Sequence, residues 1–108
     1  MKVYHLGEMV KGWFVGDFEP TAIRTTACEV SVKRYDAGTK ELAHVHKVAV
    51  ELTLIVSGQV RMNGREFSAG DIIVVAPGET SDFEALTQTT TTVVKLPSAK
   101  GDKYLVGG

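Results

Sequence analysis

A chain of 108 residues with 44% hydrophobic and 23% charged residues has the profile of a soluble globular protein, long enough to close one core without staples. Its formal net charge of -1 and four scattered arginines (Arg24, Arg34, Arg61, Arg65) provide no clustered positive field, which argues against nucleic acid or a membrane surface as partner. A lone cysteine, Cys28, allows no internal disulfide, and no stretch suits a signal peptide or a membrane span, so cytoplasmic residence is expected.

The N-terminal stretch carries His5, which has no partner at a useful spacing, and the aromatic pair Trp13-Phe14. With Tyr35, these aromatics are expected first as core or interface residues and second as walls of a ligand cavity. Residues 28–35 alternate with period two, the mark of a half-buried strand: Cys28, Val30 and Val32 share one face, Glu29, Ser31 and Lys33 the other. Taking the apolar set as inward makes Cys28 a buried small hydrophobe. It also points Arg34 inward, where it would suit a carboxylate or phosphate, unless a register change at the strand end turns it to solvent. Ala37-Gly38 then marks a turn. Residues 40–51 place Leu42, Ala43, His46 and Ala49 near helical spacing, but the strand-rich context assigns them to strands.

Residues 51–57 and 71–76 are β-branched runs between turn residues and read as strands with much of their surface buried. Between them, Asn63-Gly64 signals a two-residue hairpin, because both central positions need φ > 0. Segments 82–86 and 89–96 are two more strands around Thr87-Gln88, and the threonine run of the second suggests a solvent-facing edge. The tail 97–108 is too polar and glycine-rich to be assigned an element. Many short strands separated by turns predict an all-β sandwich or barrel, one domain over residues 1–108.

His44-Val45-His46 is where chemistry is expected. On a strand, residues i and i+2 share a face about 7 Å apart, so two imidazoles can lean onto one metal ion at distances of about 2.0–2.1 Å. On a helix they would point roughly 200° apart. Glu51 would complete a set of two His and one carboxylate, suited to Fe(II) and able to hold other divalent ions. One His alone would read as a polar rim residue, and Glu51 alone as a surface carboxylate; the combination favours metal. Positions 44 and 51 have opposite parity, so the chain must turn or bulge within Lys47–Val50, a stretch with no turn residue.

The segment running from Gly38 through His44-Val45-His46 and Glu51 to Gly58 resembles the first conserved motif of the cupin superfamily. Gly70-Asp71 through Pro77-Gly78 resembles the second, and the likeness covers residues 38–83. The resemblance implies a double-stranded β-helix, or jelly-roll barrel, in which the chain reverses after the second His and returns the Glu to the same site. It also implies a divalent metal (Fe, Mn, Ni or Zn) on His44, His46 and Glu51, and a homodimer paired by sheet contact. The family's third His falls on Ser81, a poor ligand when neutral. That leaves a three-ligand site with open positions, a weak site or a vestigial one. Asp82 is adjacent but of opposite parity. Ser81 and Phe83 share the inward face of their strand and join Arg34 as expected cavity walls.

Two functions fit these observations. A divalent ion with open positions can polarise a carbonyl or hydroxyl, or activate dioxygen as Fe(II). The first is therefore a stand-alone metal-dependent enzyme, of the isomerase, epimerase or oxygenase type, acting on a small oxygenated or sugar-derived molecule, with Glu51 as ligand or as base. The alternative is a non-catalytic barrel that binds a small ligand, or a vestigial dimer without metal.

Overall fold

Period-two runs of β-branched and polar residues build ten strands in the computed structural model, which describes residues 1–107. They are β1 (Trp13–Val15), β2 (Glu29–Tyr35), β3 (Lys40–Val45), β4 (Val50–Ser57) and β5 (Gln59–Met62), followed by β6 (Arg65–Ser68), β7 (Ile72–Val75), β8 (Thr80–Ala85), β9 (Thr89–Leu96) and β10 (Tyr104–Leu105). Two 3₁₀ turns, Leu6–Glu8 and Val10–Gly12, precede them. The strands form two five-stranded antiparallel sheets, ordered β1-β2-β9-β4-β7 and β10-β3-β8-β5-β6. Among the described residues no helix is long and apolar enough to cross a membrane.

The two sheets share a core, in which Ile55 of the first meets Val60, Met62, Phe83 and Ala85 of the second. Asn63 (φ 50°) and Gly64 (φ 76°) both adopt the left-handed backbone that the β5–β6 hairpin needs. Residues 40–51 are two strands joined by a turn, as their context required. Gly12 (φ 79°) matters for a different reason: a Cβ there would stand 1.9 Å from the Val32 carbonyl oxygen. Only glycine lets the N-terminal turn lie this close to β2 and deliver Trp13 to the barrel mouth.

Four expectations are corrected by packing. In β2 the inward set is Ser31, Lys33 and Tyr35; Arg34 is exposed and borders only an outer hollow. Val32 points outward, half-buried, into a hollow that Tyr4, Leu6, Met9 and Phe14 of the N-terminal segment also line, so the strand has an apolar setting on the side away from the barrel. Cys28 is half-buried and lies just before the strand. The threonine run is no edge, because β9 is the middle strand of its sheet, with Thr89 and Thr91 facing inward at 1% and 0% exposure. The edges are β1 and β7, and in β7 Ile72 and Val74 are exposed while only Ile73 and Val75 turn inward. Finally, the C-terminal tail does supply an element, β10, paired with β3.

Candidate metal centre

β3 and β4 belong to different sheets, and residues 46–49 carry the chain from one to the other. That crossing brings His44 and Glu51 to one place despite their opposite parity. A turn through Lys47-Val48-Ala49 has no glycine, proline or asparagine to shape it, and the tail supplies the missing partner. The Asp102 carboxylate accepts hydrogen bonds from the backbone N–H groups of Lys47 (2.8 Å), Val48 (3.1 Å) and Ala49 (2.9 Å). Successive amides closing on one anion make a backbone nest. Burial opposes the charge on Asp102, but these three donors and nearby His46 outweigh it and hold the carboxyl below its ordinary pKa. On the other side of the turn, the Gly78 N–H donates to the His46 carbonyl at 2.7 Å.

A second irregularity tunes β3. Glu41 pairs with Phe83 and His44 with Ser81, so β3 holds one more residue than β8 between these pairs. The bulge turns both Glu41 and His44 to the interior.

Both imidazoles are oriented through Nδ1. His44 Nδ1–H donates to the Leu42 carbonyl at 3.1 Å, and His46 Nδ1–H to the Asp102 carbonyl. A carbonyl can only accept, so each ring carries a proton on Nδ1, and Nε2 is the atom left to face the cluster. The ring centroids are 5.1 Å apart and nearly perpendicular, at 76°. His46 Nε2 lies 3.0 Å from Glu51 Oε2. That contact raises the His46 pKa against the effect of burial. Burial instead lowers the pKa of His44, which favours its neutral, metal-ready form. Burial pushes Glu51 upward, but the His46 hydrogen bond and the charge of Lys95 more than offset this, keeping the carboxylate ionised.

One donor atom from each of His44, His46 and Glu51 lies within 4.8 Å of the other two, and all three residues are buried. Donors bound to one ion at about 2.0–2.2 Å stand roughly 3–4 Å apart, so a modest closure of side chains brings this set onto a cation. Two neutral-capable imidazoles and an ionised carboxylate, each held by neighbours, fit a divalent transition metal. His44 and Glu51 border a chamber of about 40 Å³, room for an ion and a few waters. Thr53, Ser81, Phe83 and Thr91 are among its walls. The buried hydroxyls of Ser31 and Thr91 have no hydrogen-bond partner among the described residues, and of the two residues Thr91 lies on the chamber wall.

Ser81 sits directly across from His44, buried at 2% exposure, and Phe83 lies two residues along the same wall. Asp82 turns away, its carboxylate accepting the Asn63 backbone N–H at 2.6 Å, and it contributes no donor to the cluster. Trp13 and Tyr35 border the chamber, whereas Phe14 packs outside with the N-terminal segment. The Tyr35 hydroxyl donates to Glu41 at 2.6 Å, and burial together with this carboxylate pushes its pKa up. Sequence reasoning missed Asp102, Glu41, Lys33, Lys95 and Lys103. Lys33 and Lys95 had a signal, since each shares strand parity with residues that the barrel encloses. Asp102 had none, because its partners are backbone amides more than 50 positions away.

No protein-family model matches the sequence, and no curated protein matches it. Solved structures do. An uncharacterized conserved protein with a double-stranded β-helix domain from Klebsiella pneumoniae superposes with a TM-score of 0.70 at 23% identity, over 78% of this chain and 74% of that one. The DMSP lyase DddQ from Ruegeria pomeroyi superposes at 0.72 with 18% identity, over 87% of this chain and 49% of the lyase. A structure from work on the Mn(II) centres of Bacillus subtilis oxalate decarboxylase gives 0.63 at 18% identity, over 76% of this chain and 25% of the decarboxylase. This chain thus spans about half the length of the lyase and a quarter of the decarboxylase. At these identities the likeness concerns architecture, and it agrees with the two sheets closing on one core: the chain has the double-stranded β-helix fold of the cupins.

Proposed function

We propose that this protein is a small metal-dependent enzyme acting on a small oxygenated or sugar-derived molecule, of the isomerase, epimerase or oxygenase type. The observation that carries the proposal is the convergence of buried His44, His46 and Glu51 donor atoms within 4.8 Å of one another, beside a small chamber that His44 and Glu51 border. A divalent ion there (Fe, Mn, Ni or Zn) would polarise a substrate oxygen or, as Fe(II), activate dioxygen. The Mn(II) centres named for oxalate decarboxylase, a protein of the same fold, support a metal in such a barrel. The chain's own residues do the rest. Asp102 and Leu42 fix the two rings, Glu51 supplies negative charge, and Phe83 and Tyr35 restrict the space. A carboxylate held below its ordinary pKa is a weak proton acceptor near neutrality, so Glu51 suits the ligand role better than that of base.

A second reading, a barrel that binds a small ligand without catalysis, is favoured by one feature. Ser81 stands opposite His44 where a fourth strong ligand would complete the site. We also read the protein as a cytoplasmic homodimer. The exposed apolar strip of Leu54, Val56, Ile72 and Val74 on the outer face of β4 and β7 supports sheet-to-sheet pairing.

Metal analysis of untagged protein tests the proposal. The expected result is about one divalent ion per chain, lost in His44→Ala while the β-sheet circular dichroism spectrum is retained. Wild-type protein that is folded and metal-free, and that takes up none of the four ions on addition, would reject the enzyme reading in favour of the ligand-binding one.

A further inference from the structure

The chamber adjoins a wider outer hollow of about 920 Å³, and the rim they share forms a neck. Six residues border both spaces: Trp13, Lys33, Tyr35, Glu41, Lys95 and Lys103. Lys33 of β2 and Lys95 of β9 rest on the same indole, their Nζ atoms 4.8 Å and 4.9 Å from the centroid of Trp13. The two ammonium groups are therefore within about 10 Å of each other, a separation at which partly buried charges are poorly screened. Among the described residues, none of Lys33, Lys95 and Lys103 forms an ion pair. The nearby carboxylates hydrogen-bond to other groups, Glu41 to the Tyr35 hydroxyl, Glu51 to His46 and Asp82 to the Asn63 amide, and none of them lies within ion-pair distance of these lysines. Burial depresses the pKa of Lys33; Glu41 works against this, and Lys95 and Lys103 add to it. The neck thus sets three ammonium groups against the one carboxylate of Glu41, with Glu51 farther in, and the excess of cations at its rim favours an entering anion.

We propose that this neck is an anion-binding subsite, which takes the anionic group of a short organic acid among Lys33, Lys95 and Lys103 while the acid's other end reaches the His44–His46–Glu51 cluster. The inner end of that placement rests on the metal reading above; the neck's charge does not. The small chamber limits the inward part of the ligand to a few heavy atoms. Lysines act as point charges without the fork that matches one oxyanion shape, so a carboxylate and a phosphate ester share the required chemistry.

Trp13 is the only tryptophan, so its emission reports on the neck without a label. Malonate, inorganic phosphate and the neutral malonamide are titrated into Mn(II)-loaded and metal-free protein. A saturable emission change is expected with malonate or phosphate and none with malonamide, and the tighter of the two anions identifies the source as carboxylate or phosphate. Lys33→Met and Lys95→Met each weaken the response at least 10-fold, Lys33→Arg restores most of it, and Lys40→Met, at the exposed Glu84 pair, leaves it unchanged. The absence of a saturable response to either anion, an equal response to malonamide, or full affinity in both methionine variants would overturn the subsite. Mn(II) binding, followed separately by loss of the free-ion EPR signal, distinguishes the two proposals. Metal binding without an anion response removes the neck alone; an anion response without metal removes the metal reading and leaves the neck standing.

Discussion

The two ends of this barrel are built from the same strands and do opposite things. β4 carries Glu51 and Thr53 at one end and Ile55 at the other; β8 runs from Ser81 to Phe83 and Ala85. At the closed end, Ile55, Val60, Met62, Phe83 and Ala85 form the apolar cluster. At the open end, the inward positions hold imidazoles, carboxylates and lysines, and they depend on hydrogen bonds rather than on area for their placement. The comparison shows how so small a chain combines stability with a polar interior: it concentrates apolar burial in one half of β4 and β8 and gives the other half to buried polar and charged groups. The charged half must then be braced from outside, and Asp102 is the brace.

The sharpest way to break this division is to damage the apolar end alone. Ile55→Ala removes a fully buried side chain from the cluster and is expected to cost about 2–5 kcal/mol in a denaturant melt. The folded fraction should keep its metal stoichiometry. Loss of metal in protein that is still folded would show that the ends are coupled. Next in size is Asp102→Ala, which leaves three backbone N–H groups of the 47–49 turn without their acceptor. A loss of about 2–4 kcal/mol is expected, with metal affinity weakened about 10–100-fold because the turn that orients His46 loosens. Asp102→Asn keeps an acceptor oxygen and should recover part of both; equal loss in the two variants would mean that charge rather than geometry is what Asp102 provides. The smallest effect belongs to Arg34→Ala. This exposed side chain faces away from the chamber, so stability should change by less than about 0.5 kcal/mol and metal affinity not at all. A measurable loss of metal would place Arg34 back in the interior.

Much of the architecture was legible because strand signals are local. Period-two alternation, the Asn63-Gly64 turn and the Gly70 and Pro77-Gly78 boundaries each depend on a few neighbouring residues, and each marks an element found in the fold. The pairing of His44 with His46 was legible from spacing once residues 44–46 were read as strand, since only a strand puts i and i+2 on one face; Glu51, of opposite parity, was joined to them only by the resemblance to the cupin motif. The faces themselves were not. In β2, alternation correctly grouped Val30 with Val32 and Ser31 with Lys33, but which group entered the barrel depended on the N-terminal segment that lies against the outer side of β2. Arg34 was misplaced for the same reason.

The sequence by itself determined which residues are extended, where the chain turns, and which side chains share a face, because steric and hydrogen-bonding preferences act over two to four residues. Only the tertiary structure decided which face is inside, which strand is an edge, and what bends the chain between His46 and Glu51. Those outcomes depend on contacts between distant segments: the N-terminal turn laid on β2, β9 inserted between β2 and β4, and a carboxylate at position 102 closing on amides at 47–49. Alternation along one strand carries no record of its neighbours, and for that reason the brace of the site could not be read from the residues that form it.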